Sequence, residues 1–415
     1  MGLGYDVAYL TAAVLASPVW ATRMLRTGKW RTDWSGRFGR GAALAPDPRP
    51  TVLVHGVSVG EVASVAPVLA ELEAQGLRPA IATTTDTGAA RAEALYGSRM
   101  PVLRYPLDVS AAVARFLDRT RPDVVGLVEL EVWPNFVAAC TARGIPVAVV
   151  SGRLSASSFA RYLRVRRLVA PTFRRLAAVG AQTETYAERF VALGVPEARV
   201  RVTDSTKWDA APTTVDAQAT RALALALGID RSRPLVVAGS TGPGEEARLL
   251  AELPADLPLL IAPRKPERFA EVAALDPTFV RRSQSPDGTE RPPGSTRILL
   301  DSMGDLTHAY ALADVAVVGR SFVALGGSDP IAPVALGRPA LIGPYHANFD
   351  DVVGHLAGSG ALVVSDRIVE TVLGFLDDPE ATATAVARGR AVIEARRGAA
   401  GRTAALLGSL AGGRP

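Results

Sequence analysis

Acidic and basic residues recur in this chain where short apolar runs give way to glycine-rich turns. In "LVHGVSVGEVASVAP", residues 53–67, an apolar run stops at His55-Gly56, turns through Ser58 and Gly60, and meets Glu61 where a helical pattern begins. Gly-rich turns between a strand and a helix usually cradle phosphate on bare backbone N–H groups. A carboxylate at such a helix mouth is a different device. The helix dipole stabilises its ionised form by up to about 1 kcal/mol, and plain helix capping is the competing explanation. Glu129 and Glu131 follow the apolar run Val124–Val128, just ahead of Trp133-Pro134. Glutamate at a buried strand end is costly unless paired, so at least one of the two is expected to meet a cation or a ligand hydroxyl. Lys207 stands in "TDSTKWD", at an expected join between domains. Further on, "IAPRKPERF" presents Pro263, Arg264 and Lys265, the last two being good anchors for phosphate. Met303-Gly304-Asp305 forms a loop that opens a helix. In "LGGSDPIAP" a Gly-Gly turn leads to Asp329 as the expected N-cap and Pro330 at the first helical position. The free N–H groups of that helix end could receive a diphosphate or a nucleotide monophosphate.

The elements that must position these residues alternate in type. From Pro50 onward short apolar strands, Thr51–His55, Pro79–Thr83, Val102–Tyr105, Val124–Val128, Pro146–Val150, Ala177–Gly180 and Val200–Val202, are separated by amphipathic stretches such as Glu61–Gln75. After a pause between Asp204 and Pro234 the rhythm resumes with Leu235–Gly239, Leu259–Ala262, Arg297–Leu300, Val315–Val318, Ala340–Ile342 and Ala361–Val364. A βαβ series implies a parallel sheet covered on both faces. The expected fold class is therefore α/β, with two doubly wound, Rossmann-like domains facing one cleft. Ligands in such sheets bind beyond the carboxyl ends of the strands. The expected division is 1–40 as an anchor with a basic flank, 41–210 as a first domain, 211–229 as a linker, 230–385 as a second domain, and 386–415 as a helix able to return to the first.

Composition bounds the partners. The 415 residues are 48% hydrophobic and 21% charged, which describes a folded chain with sizeable cores. A formal charge of +5, from 46 basic and 41 acidic residues, suits anionic substrates or an anionic membrane surface. There is no RNP signature, zinc-finger spacing or dense Lys/Arg run, so nucleic acid is not an expected partner. One cysteine, Cys140, excludes an internal disulfide, and four scattered histidines show no metal-ligand spacing. Val7 to Thr22 carries no charge and is followed by Arg23, Arg26, Lys29, Arg31, Arg37 and Arg40. We read this as an N-terminal membrane anchor helix, spanning or lying in the interface, with its basic flank and the next domain on the cytoplasmic side of the inner membrane.

In "HGVSVGEV", "ATTTDTGAARA", "VELEVWPN", "GRLSASSFARY", "AQTETYAERFVALGV", "TDSTKWD", "APRKPERF", "MGDL", "GGSDPIAP" and "GPYHANF" the chain resembles the 3-deoxy-D-manno-octulosonic acid (Kdo) transferases. These are membrane-anchored GT-B glycosyltransferases of lipopolysaccharide assembly. The resemblance implies transfer of Kdo from a CMP-Kdo donor to a hydroxyl of a lipid A precursor, with inversion at the anomeric carbon and no metal or other cofactor. It implies Glu61 as general base and Glu129 and Lys207 as stabilisers of the transition state. It assigns CMP contacts to Pro263, Arg264, Met303, Gly304 and Asp305, and to the segment Asp329, Pro330, Ile331 and Ala332.

The match departs from the family pattern on the donor side. Where the family continues its Gly-Gly turn with His-Asn-Pro-x-Glu-Pro, this chain has Ser328-Asp329-Pro330-Ile331-Ala332-Pro333. Ala332 cannot make the ribose contact of the missing glutamate, an expected loss of about 1.5–3 kcal/mol. Lys265 stands where the family often has His, and Asp204 where Gly is common. Two other readings are consistent with the residues: a GT-B transferase using a different nucleotide sugar, and a non-catalytic membrane-associated relative. Retention of Glu61, Glu129 and Lys207 argues against the latter.

Overall fold

The protein is described by a computed structural model covering residues 4–7, 9, 11, 17, 32–285 and 288–412. It divides into two compact units, Met1–Ala210 with Arg397–Pro415, and Ala211–Arg396.

In the first unit seven strands, β1 (Thr51–His55), β2 (Arg78–Thr83), β3 (Val102–Arg104), β4 (Val124–Val128), β5 (Val147–Gly152), β6 (Ala178–Ala181) and β7 (Val200–Val202), form one sheet in the order β3-β2-β1-β4-β5-β6-β7. Every pairing is parallel. β1 and β4 are buried along their whole length, which is why they read as unbroken apolar runs rather than alternating ones. Side chains on one face, including Leu53, Val125 and Leu127, join one core with Phe136 of the helix Pro134–Ala142. Those on the other, including Val52, Val54, Val124 and Val128, join a second core with Leu69, Leu72 and Leu407. The helix expected over Glu61–Gln75 is two helices, Val59–Ser64 and Ala66–Ala74, divided at Val65. Pro67 lacks the N–H that a continuous helix would need there. Helix Ala399–Ala411 packs on Ala66–Ala74, and its Leu407 methyls lie 3.3 Å from where a Cβ on Gly126 of β4 would stand. Asp209 fixes the start of that helix by accepting hydrogen bonds from the N–H groups of Gly398 (2.7 Å) and Ala400 (3.1 Å).

The second unit repeats the plan. β8 (Val236–Thr241), β9 (Leu259–Pro263), β10 (Val280–Arg281), β11 (Arg297–Leu299), β12 (Val315–Val318), β13 (Ala340–Ile342) and β14 (Leu362–Val364) form a parallel sheet ordered β10-β11-β9-β8-β12-β13-β14. Val236, Ala238, Val315, Val317 and Leu341 face a core with Leu249, Ile368 and Val372. Helix Ala217–Ala226 occupies the stretch read as a linker and packs on helix Leu306–Leu312.

The N-terminal anchor is not sustained. Among the described residues no helix is long and apolar enough to cross a membrane. The expected anchor helix, and the inner-membrane placement drawn from it, are corrected accordingly. Pro18 and the charges from Arg23 onward leave too short an apolar run for a full span of roughly 20 residues. Most of that run, and all of residues 18–31, lie outside the described residues.

Candidate active site

In each sheet the order reverses direction between two neighbouring strands, β1 and β4 in the first unit and β8 and β12 in the second. Loops leaving the carboxyl ends of such a pair diverge and open a crevice. In the first unit that crevice collects the acids singled out in the sequence. Ser58 caps helix Val59–Ser64, its hydroxyl accepting from the Glu61 N–H at 3.3 Å. The Glu61 carboxylate reaches back in turn, accepting from the Val57 N–H at 2.8 Å and the Ser58 hydroxyl at 2.7 Å. This reciprocal closure is a variant of the capping box in which the carboxylate takes the N–H of the residue before the cap, so capping is part of what Glu61 does. It is not all. Burial raises the Glu61 pKa above the ordinary carboxylate value, and Glu129 raises it further; the Val57 and Ser58 hydrogen bonds and the Lys207 charge act the other way.

Glu129 leaves β4 with φ of 59°, a left-handed conformation that L-residues adopt at a cost. The turn sends its side chain to Lys207, whose Nζ donates to Oε1 at 3.0 Å. The two side chains are only 18% and 23% exposed, so the pair is shielded from solvent screening more than a surface bridge would be. Glu131 accepts from Trp133 Nε1 at 2.9 Å, and burial raises its pKa. Glu61, Glu129 and Lys207 thus come together at the β1–β4 crevice, with Glu131 beside them. His55 belongs to the scaffold instead. It is fully buried, stacked on Tyr105 at 3.6 Å between ring centroids, and its Nδ1 lies 3.0 Å from the Ala82 carbonyl. Burial pushes its pKa down to about 4, so its imidazole is neutral.

In the second unit Pro263 ends β9 and Arg264 follows, its N–H donating to the Thr241 carbonyl at the end of β8 (3.0 Å). Met303 is 62% exposed, and Gly304 has φ of 102°. Asp305 accepts from the Ser302 hydroxyl at 2.6 Å, just before helix Leu306–Leu312. That helix packs on the short helix Ile331–Ala335. The latter begins one residue later than expected: Pro330 is its cap, and Asp329 accepts from the Ile331 N–H at 2.9 Å. Ala332 is half-buried and offers no polar atom beyond its backbone. Among the described residues no group of three or more His, Cys, Asp or Glu side chains is arranged to hold a metal ion.

Residues 32–210 match the family model described as 3-deoxy-D-manno-octulosonic-acid transferase (kdotransferase). The 3-deoxy-D-manno-octulosonic acid transferase of Bordetella pertussis is 34% identical over 97% of this chain and 98% of its own length. The chain belongs to this transferase family. The enzyme of the same name from Haemophilus influenzae is 31% identical over 92% of both chains. Among solved structures, Anabaena HepE in complex with UDP-glucose aligns with a TM-score of 0.60 over 87% of this chain and 99% of its own, at 14% identity, which supports the two-unit GT-B fold. The Kdo transferase described here is thus a glycosyltransferase of lipopolysaccharide biosynthesis.

Sequence reasoning passed over two acids of the transferase's second unit. "GSTGPGEEARLL" places Glu245 and Glu246 directly after a strand and a glycine turn, the same signal that drew attention to Glu61. Both are almost wholly buried. Glu246 takes Arg268 Nη1 at 2.5 Å and Nη2 at 3.0 Å, with the Thr241 hydroxyl donating at 2.8 Å. Glu245 accepts four backbone N–H bonds, from Gly242 (2.8 Å), Arg320 (2.6 Å), Ser321 (2.8 Å) and Phe322 (2.9 Å). It therefore ties the loop after β8 to the loop after β12. Asp108 was also missed. It accepts from the N–H groups of Asn135 (3.1 Å) and Phe136 (2.8 Å), anchoring the helix that follows the Glu129–Glu131 loop.

Proposed function

We propose that this chain moves Kdo from CMP-Kdo to a hydroxyl of a lipid A precursor with inversion, and that Glu61 takes the acceptor's proton. The acceptor oxygen attacks the anomeric carbon as its O–H proton passes to the Glu61 carboxylate. The bond from that carbon to the phosphate oxygen breaks, and CMP departs with the electron pair. Burial makes Glu61 a stronger base than a free carboxylate, while Lys207 opposes its protonation. Such tuning suits a general base. Glu129 holds the Lys207 ammonium in place, and that ammonium supplies positive charge to the transition state.

The observation carrying this reading is the meeting of Glu61, Glu129 and Lys207 at the point where the first sheet reverses its order. Donor binding is assigned to the second unit, through Pro263 and Arg264, Met303 to Asp305, and Asp329 to Ala332. The acceptor is assigned to the first unit. The test is a transfer assay with the full chain, CMP-Kdo and a tetraacylated lipid A precursor, read by product mass. A gain of one or more Kdo residues is expected. No gain with CMP-Kdo, together with transfer from another nucleotide sugar, would overturn the donor assignment, an outcome for which Ala332 supplies a physical reason.

A further inference from the structure

The loop after β12 contains an arginine that no family assignment above includes. Arg320 sits at φ of 61°, a conformation that favours glycine. Three contacts hold it there. Its N–H donates to Glu245 Oε2 at 2.6 Å, and its carbonyl accepts from the Gly327 N–H at 2.7 Å. Its guanidinium Nη2 donates to the Leu325 carbonyl at 3.0 Å. Nε is buried and has no hydrogen-bond partner among the described residues. The side chain is thus fixed between the strand end and the Gly326-Gly327 turn.

Its surroundings point to an anion. In doubly wound folds the backbone N–H groups at this crevice usually receive phosphate. Here Glu245 already occupies the N–H groups of Gly242, Arg320, Ser321 and Phe322. Those four N–H groups are therefore taken, which leaves a larger share of an incoming anion's charge to be met by side chains. Arg264 stands at the end of β9, the neighbour of β8, and neither it nor Arg320 has a carboxylate within salt-bridge distance among the described residues. Both residues flank the end of β8: the Arg264 N–H donates to the Thr241 carbonyl at 3.0 Å, and Arg320 Cγ lies 3.3 Å from where a Cβ on Gly242 would stand. In keeping with that placement, the Arg320 charge adds to burial in lowering the Arg264 pKa. Bringing two guanidinium groups together without a carboxylate is unfavourable until an anion arrives between them.

We propose that Arg320 and Arg264 form a two-guanidinium clamp for the anionic groups of the donor, Arg320 being a binding residue specific to this arrangement of the loop. The clamp rests on the reading that the second unit holds the donor. A CMP-linked sugar acid carries two such groups, the phosphodiester and the sugar carboxylate, and a planar guanidinium can engage either bidentately. Such a clamp offsets the ribose contact that Ala332 cannot make.

The test is calorimetric titration of the full chain with cytidine, CMP and CMP-Kdo, in wild type, Arg320→Gly and Arg320→Lys. Glycine keeps the left-handed backbone, so Arg320→Gly is expected to melt at or above the wild-type temperature. It should bind CMP-Kdo about tenfold to a hundredfold more weakly, with cytidine affinity unchanged. Lysine keeps the charge without the fork and should fall between. Equal loss for CMP and CMP-Kdo assigns Arg320 to the phosphate; loss for CMP-Kdo alone assigns it to the carboxylate. Arg320→Gly binding CMP-Kdo within twofold of a wild type that does bind it overturns the clamp. A wild type that binds no CMP-Kdo overturns the donor reading itself, and the clamp with it.

Discussion

Replacing Glu61 by Gln separates the two things its carboxylate does. Glutamine is nearly isosteric. Its Oε1 can accept the Val57 N–H now bound at 2.8 Å, and its amide can donate to the Ser58 hydroxyl now at 2.7 Å. The capping box therefore survives in neutral form. The stability change is expected to stay within about 1 kcal/mol, the scale of one ordinary hydrogen bond. Chemistry fares differently, because an amide cannot take a proton from an alcohol. Loss of a positioned general base costs about 10²- to 10⁴-fold in rate, or roughly 3–5 kcal/mol of barrier. Steady-state transfer kinetics and thermal melts on the same preparations would read both effects. Ser58→Ala supplies the converse: it removes the cap, at about 1 kcal/mol of stability, and keeps the base. Burial raises the Glu61 pKa, and a base must be ionised to act. Wild-type kcat/KM should therefore fall as pH drops through a value above the ordinary glutamate range near about 4.3. Glu61→Gln should lack that limb. Turnover within threefold of wild type in Glu61→Gln, or loss of turnover only in step with unfolding, would show that Glu61 is a cap and nothing more.

Lys207→Met removes a charge that holds the Glu61 pKa down, so the acidic limb of the residual kcat/KM profile should move to higher pH; an unmoved limb would mean that the two groups do not sense each other. Arg268→Ala leaves Glu246 buried and unpaired, an expected loss of about 3–5 kcal/mol in urea unfolding, and a loss under 1 kcal/mol would mean that water replaces the guanidinium. Gly319→Ala places a Cβ 2.5 Å from Thr241 Cα and 2.8 Å from the Ser240 carbonyl oxygen, where the loops after β8 and β12 pass each other. Relief of that clash should cost about 1–3 kcal/mol and weaken CMP-Kdo binding in the same variant, whereas unchanged melting would contradict the close approach.

The strands of both sheets were legible because parallel strands buried on two faces leave continuous apolar runs. Thr51–His55, Val124–Val128 and Val315–Val318 run between the residues that the pattern indicates. β10 left no such trace, since its two residues, Val280 and Arg281, form an edge that needs little burial. Pro67 was visible, yet the apolar spacing on either side of it still read as one helix. The acids after β1 and β4 were legible by position alone, because a glutamate ending a buried strand needs a partner. Which partner could not be read: Glu129 meets Lys207 only through a left-handed turn and a lysine far along the chain. Glu245 shows the opposite failure. Its partners are backbone N–H groups of a distant loop, and backbone atoms leave no mark on composition. The apolar run near the N-terminus was over-read, because hydropathy over so short a stretch does not separate a membrane helix from other uses of Ala, Val and Leu.

Helix Ala399–Ala411 fills a core whose other walls are made before Ala210. The second unit is in effect spliced into the first, so a ribosome must complete the inserted unit before Leu407 can seal the hydrophobic seam over Leu69 and Leu72. A fragment cut after Ala210 would leave that seam open to water and prone to aggregate, although it retains Glu61, Glu129 and Lys207.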